Sequence, residues 1–317
     1  MSILQIPIFK TLDGAHNILL AGAGGGFDIY TGLPLYFALR AAGKQVHLAN
    51  LSFATIYAST GRRIGPAVVE VTGTTEGPEQ YFPEMYLAQW LASQNIFEPI
   101  YCIDRTGAKP TADAYQFLAE RLQPDAVILI DGGTDSLMRG DEPMLGTPQE
   151  DIASIAAVDA LDIPTKLLLC LGFGVDTFHG VCHHYFLEAV ADITRAGGFL
   201  GAWSLTPDMP EIALYQKAFD YVAHKMRSHP SIVSGSILSA IEGRFGDFHS
   251  TVRTEGSHLY INPLMTLYWA FELDAVARRN LYLDQVRETQ TYRDLSLAIE
   301  IYRQGLPDHL PWIDLPM

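Results

Sequence analysis

Asn17-Ile18-Leu19-Leu20-Ala21-Gly22-Ala23-Gly24-Gly25-Gly26-Phe27-Asp28 decides the fold. A short apolar run ends in four glycines within five positions, and an amphipathic segment over residues 31–42 follows. Glycines at such a junction let the backbone turn sharply and approach a ligand closely, and the helix start beyond them offers free N–H groups. The pattern is strand, glycine loop, helix, the opening unit of an α/β protein.

The same grammar recurs downstream. Residues 125–130 (DAVILI) run into Asp131-Gly132-Gly133-Thr134-Asp135-Ser136, and residues 166–171 (KLLLCL) run into Gly172-Phe173-Gly174-Val175-Asp176-Thr177-Phe178-His179. Strands apolar on both faces belong to parallel sheets covered on both sides by helices. Further strands are expected at 45–51, 67–71, 99–103 and 199–204, the partner of 67–71 staying open. Helices are expected at 79–95, 111–122, 148–161 and 177–195, with Thr147 as N-cap and Glu150 at the capping-box position of the third. Beyond Thr206 the pattern reads as helical: 211–228, 232–241, 263–280 and 292–304. These elements predict a doubly wound, Rossmann-like three-layer sandwich of about six parallel strands. A single α/β domain is expected over 1–317, with a core over 1–206 and a helical C-terminal cover over 207–317, because no linker, charge block or repeat divides the chain.

Composition narrows the function. Of 317 residues, 36 are Asp or Glu and 21 are Lys or Arg, a formal charge of -15. Such a surface repels phosphate backbones and anionic lipid, so neither nucleic acid nor membrane is the expected partner. No apolar run reaches the roughly 18 residues of a bilayer span, and residues 1–14 do not read as a signal peptide. Cys102, Cys170 and Cys182 form no C-x-x-C pair, which fits a reducing, cytoplasmic compartment.

In open parallel sheets, ligands sit at the carboxyl ends of the strands, where strand order reverses. The three loops are expected to converge there. Gly24, Gly25, Gly26, Asp28, Gly132, Gly133, Ser136 and Gly174 are the candidate ligand-binding residues. Asp131, Asp135, Asp176, His179 and His249 are the candidate catalytic residues, His249 coming from the glycine-containing segment 242–249. Asp131, Asp135 and Asp176 are also candidate metal ligands, and an all-oxygen set points to magnesium or manganese. Asp176 and His179, three apart at a helix start, could form an acid/base pair, with His183 one turn further along. The competing reading makes Asp28 and Asp176 helix caps and turns the histidines toward neighbouring helices or solvent. The spacing of Gly22, Gly24 and Phe27 departs from G-x-G-x-x-G, so no nicotinamide cofactor is indicated.

Three resemblances follow from these motifs. The unit from Gly22 to Val46 resembles the opening of two-domain nucleotide-sugar glycosyltransferases. The Asp131–Ser136 loop resembles the S-G-G-x-D-S loop of PP-loop ATP pyrophosphatases, with Asp131 where that family has Ser, and implies an ATP-binding enzyme. Together, G-x-G-G-G-F-D, D-G-G-T-D-S-L-M-R-G-D-E, G-V-D-T-F-H-G and I-N-P-L-M resemble a prokaryotic family known only as a domain of unknown function, which implies a grouping and no activity. The expected function is a hydrolase or group transferase acting on a small polar nucleoside- or sugar-containing metabolite. The alternative is a protein that binds or senses such a ligand without turnover. The tail, residues 306–317, carries Trp312 among leucines and prolines and predicts self-association, or else a strap on its own chain.

Overall fold

Alternate burial sets the strands in place. In β1 (Asn17–Gly22), Ile18 and Leu20 face one core and Leu19 and Ala21 the other. The same alternation runs through β6 (Ala126–Asp131) and β7 (Thr165–Leu171). Each fully buried aliphatic side chain contributes about 1.5–3 kcal/mol, so a strand buried on both faces is fixed in register by its own side chains. This computed structural model describes residues 5–78, 80–256 and 259–315.

β2 (Gln45–Ser52) pairs in parallel with β1 and with β5 (Ile100–Asp104). On the other side of β1, β6 and then β7 continue the parallel arrangement. The chain therefore builds leftward from β1 to β2, and rightward from β1 to β6. The β1/β6 boundary is the switch point, where two diverging loops leave a crevice. Beyond β5, β3 (Arg62–Gly65) and β4 (Val68–Val71) close one edge as an antiparallel pair, which supplies the partner for residues 67–71.

The other edge corrects the sequence reading. Residues 263–280 are not one helix. A short 3-10 turn over Pro263–Thr266 leads into a strand, and only Leu273–Arg279 is helical. The strand, Leu267–Glu272, lies antiparallel between β7 and β8 (Phe199–Ser204). With the ribbon strands β9 (Gly246–Asp247) and β10 (Tyr260–Ile261) counted, it is β11. Five adjacent strands are thus parallel, and β8 shares their direction across one antiparallel insertion. Tyr268, Trp269 and Phe271 are strand residues, for which aromatic side chains are well suited. Tyr268 and Phe271 are core, as the composition of the segment implies, and the Tyr268 hydroxyl donates to the Thr31 carbonyl.

Helices cover both faces. α1 (Pro7–Asp13), α2 (Asp28–Thr31), α3 (Leu33–Ala41), α4 (Pro83–Ser93), α8 (Pro210–Lys225) and α9 (Ile232–Ile241) contribute to one core. α5 (Ala108–Leu122), α6 (Pro148–Asp159), α7 (His183–Arg195), α10 (Leu273–Arg279), α11 (Leu283–Val286) and α12 (Tyr292–Gln304) contribute to the other. The result is a mostly parallel, Rossmann-like three-layer sandwich. Among the described residues, no helix is long and apolar enough to cross a membrane.

Two local expectations change. Residues 177–195 are broken: a 3-10 turn spans Val175–His179, Gly180 takes φ +82°, and α7 begins at His183. His179 and His183 therefore do not share a helical face. Thr147 does precede α6, but it makes no side-chain cap. Its amide and hydroxyl donate instead to Asp135, at 2.8 and 3.1 Å.

Candidate functional site

Five aspartates gather at the switch point. Asp28 follows the glycine loop after β1, Asp131 ends β6, Asp135 and Asp176 sit in 3-10 turns after β6 and β7, and Asp151 lies in the first turn and a half of α6. Asp28 is half-buried and the other four are buried. The loops are pinned so that they must meet. The Ala23 amide donates to the Ile130 carbonyl at 2.7 Å, joining the β1 and β6 loops, and the Ser154 hydroxyl donates to the Ala23 carbonyl at 2.7 Å, drawing α6 against both.

Within this frame, carboxylate oxygens of Asp28, Asp131 and Asp151 lie within 4.8 Å of one another. Each neighbouring aspartate has a dedicated donor. The Gly24 amide donates to Asp28 Oδ2 at 2.6 Å, the Ser136 hydroxyl to Asp131 Oδ2 at 2.5 Å, and the Thr134 amide to Asp176 Oδ2 at 2.6 Å. Asp151 is the exception. It is 2 % exposed and its Oδ1 has no hydrogen-bond partner among the described residues. A buried carboxylate oxygen without a partner is costly, and a water, a bound proton or an ion is the usual remedy.

Electrostatics reinforce this. Burial raises all five carboxyl groups above the ordinary range, Asp131 to about 7, and for all but Asp135 a neighbouring aspartate is the next largest cause. His179 is exposed on the 3-10 turn, yet its charge acts on Asp135 and lowers it. A divalent cation would relieve the repulsion and favour the ionised carboxylates.

Glycines make room for the cluster. A side chain at Gly24 would come within 2.8 Å of Asp28 Oδ2 and 2.9 Å of Asp151 Oδ1, and one at Gly132 within 2.7 Å of Asp28 Oδ1. A side chain at Gly133 would strike Asp176. Gly25 and Gly26, with φ of +81° and +58°, turn the loop's other side against Phe53 and the Tyr81 hydroxyl. Gly174 instead faces His183, which is bonded to the Thr177 hydroxyl at 2.8 Å and stacks on Phe173.

The sequence-based candidates thus divide. Asp28, Asp131, Asp135, Asp176, Gly24, Gly132, Gly133 and Ser136 come together. Gly25, Gly26 and Gly174 line adjoining surfaces. His249 is held by its own segment, through Thr254 at 2.9 Å and Asp247 at 3.2 Å. Neither Asp28 nor Asp176 caps a helix with its side chain. The Thr134 and Ser136 amides turn onto Asp176 and Asp131, so they do not face outward as a phosphate cradle would. Asp141 and Glu142 are structural: Asp141 pairs with Arg139 at 2.7 Å, and Glu142 accepts the amides of Arg139 and Gly140.

Sequence reading missed Asp151. The signal was present: α6 is buried on nearly every side, through Ile152, Ala153, Ile155, Ala156, Ala157 and Val158. A carboxylate inside such a helix has no solvent face to occupy.

Fold and site together define an α/β protein with an acidic centre at a parallel-sheet switch point. The chain belongs to a family described as "Protein of unknown function (DUF1152)", whose model matches residues 60–301. That stretch includes the loops after β6 and β7 and the start of α6, while the glycine loop after β1 precedes it. Comparison with curated proteins and with solved structures gives no match.

Proposed function

We propose that this chain is a divalent-cation-dependent hydrolase or group transferase acting on a small polar metabolite, nucleoside- or sugar-containing, with magnesium or manganese held by Asp28, Asp131 and Asp151. The observation that carries the reading is the unpartnered, buried Oδ1 of Asp151 beside two other carboxylates. Hard oxygen donors select a hard cation, and no cysteine ligand is offered: Cys102, Cys170 and Cys182 are free and buried, and only Cys170 approaches the cluster, through Ser136 at 3.5 Å. A cation there would polarise a substrate oxygen or lower the pKa of a bound water. Asp135, whose carboxyl the charge of His179 lowers, would accept or return a proton.

The reading of a ligand-binding protein without turnover is less favoured, because these acids do not cap helices and one has an open coordination oxygen. Elemental analysis of the purified chain, with thermal shifts in magnesium, manganese and zinc, tests the cation. A screen of phosphate esters and glycosides with and without chelator tests the chemistry. Stoichiometric zinc, or no response to any ion, would count against the proposal.

A further inference from the structure

Arg105 is a cation linked to this acidic centre through Glu150, the residue before Asp151. It follows β5 at the same carboxyl edge of the sheet, and its side chain is 44 % exposed. Its guanidinium carbon stands 5.1 Å from the centroid of Phe53 on one side and 4.7 Å from that of Tyr292 on another. Nη1 forms an ion pair with Glu150 at 3.6 Å. Among the described residues the guanidinium makes no hydrogen bond. Two rings and one ion pair thus hold the side chain, and its remaining N–H donors have no hydrogen-bond partner among the described residues. An arginine fixed this way has lost most of the side-chain freedom that binding would otherwise cost, and keeps its planar fork of donors.

Its position relative to the aspartates is set by one loop. Gly24 faces Asp28 and Asp151, and the adjoining Gly25 and Gly26 face Phe53, the ring beneath Arg105. Glu150 and Asp151, consecutive on α6, make the second link. Arg105 is thus joined to the loop and the helix that carry Asp28 and Asp151.

We infer that Arg105 is a substrate-binding residue that receives a phosphoryl group, so that the metabolite is a phosphate ester whose oxygens bridge the cation and the Arg105 fork. This rests on the cation reading above. A phosphoryl group suits both partners: its hard oxygens bind magnesium or manganese, and its edge accepts two parallel N–H bonds. Without the cation, five aspartates would repel the same anion, so binding must be cation-dependent. That requirement reconciles an anionic substrate with an acidic pocket.

Phenylphosphonate, which cannot be hydrolysed at phosphorus by an esterase step, is the probe, with the full-length chain loaded with manganese. Its 31P resonance broadens when it binds close to the paramagnetic ion, and electron paramagnetic resonance of free manganese reports the metal affinity separately. The wild type is expected to broaden the probe saturably, and not after chelation. Arg105→Ala should weaken the probe by at least about tenfold, the loss of one charge-assisted contact, with manganese affinity unchanged. Arg105→Lys should recover only part, since an ammonium lacks the fork. Equal probe affinity in wild type and Arg105→Ala, or no probe binding to the manganese-loaded chain, overturns the inference and leaves the cation reading standing. Arg105-dependent binding of acetate with none of phenylphosphonate overturns the phosphoryl assignment. Failure to bind manganese overturns both.

Discussion

Asp151 shows how a single residue can oppose folding and serve a site. Its carboxylate is buried among four others, with one oxygen unpartnered. Asp151→Asn removes a buried charge at nearly constant shape. In chelator the variant should be more stable than wild type by about 1–2 kcal/mol, the gain common when a strained site is relaxed. Its manganese or magnesium affinity should fall at least about tenfold, as loss of even an indirect ligand contact does. Denaturant melts with and without ion measure both, and a variant stabilised by the ion as strongly as wild type would exclude Asp151 as a ligand. Glu84 gives a pH-dependent test away from these ligands. It is fully buried, accepts the Asn50 amide at 2.7 Å, and is raised by burial to about 7. A folded pKa above the unfolded one means the folded state holds the proton more tightly. Its contribution is complete below about pH 4.5 and disappears as pH rises through about 7, on the order of 3 kcal/mol at most. Glu84→Gln should flatten that part of the stability profile and match wild type more closely at pH 5 than at pH 8. Parallel profiles for the two proteins would place the titration elsewhere.

At the scale of elements, the glycine loop after β1 separates two kinds of glycine, and substitution should separate them too. Gly24 has no left-handed φ, so Gly24→Ala strains no backbone but pushes against Asp28 and Asp151. It should lower cation affinity with a modest change in melting temperature. Gly25→Ala, at φ +81° and against Phe53, should destabilise by more than about 1 kcal/mol. Thermal melts beside manganese titrations distinguish them, and identical behaviour would refute the division. This loop was legible because a short apolar run that stops at clustered glycines suits a buried strand entering a tight turn and little else. The runs at 125–130 and 166–171 were legible for the same reason, and so was the meeting of Asp28, Asp131, Asp135 and Asp176. What was not legible depends on partners distant in sequence. β11 is apolar from Leu267 to Phe271 and therefore shows no polar/apolar alternation in sequence, and Asn262-Pro263 before it and Leu273–Arg279 after it both carry helical signals. Gly180 interrupts residues 177–195 by a φ that only the folded turn reveals. Asp151 occupies the first turn of α6, where acids are common, and only the burial of α6 on nearly every side sets it apart.

At the scale of the whole molecule, the tail decides between two uses of the same residues. Its composition predicts self-association or a strap, and the chain lays it across its own surface. The Leu310 amide donates to the Asp141 carbonyl at 2.8 Å, the Tyr185 hydroxyl to the Pro311 carbonyl at 2.6 Å, and the Cys182 thiol to the Ile313 carbonyl at 3.1 Å. These contacts tie the loop after β6 to the start of α7. Arg303 at the end of α12 holds that loop as well, donating to the carbonyls of Gly140, Glu142 and Pro143. Gly146, further along the loop, packs against Asp135. The tail thus bears on the acidic centre at second hand. Trp312, at 47 % exposed, stays outside these bonds except for its own link to Asp314, and would be the apolar anchor of any self-association. A chain ending at Gln304 keeps Arg303 and loses the three backbone contacts. Each is worth about 0.5–1.5 kcal/mol net, so truncation should lower stability measurably and weaken manganese binding, while sedimentation is the same for both lengths. A dimer of the full chain that dissociates on truncation, with stability per chain unchanged, would instead assign the tail to contact between copies.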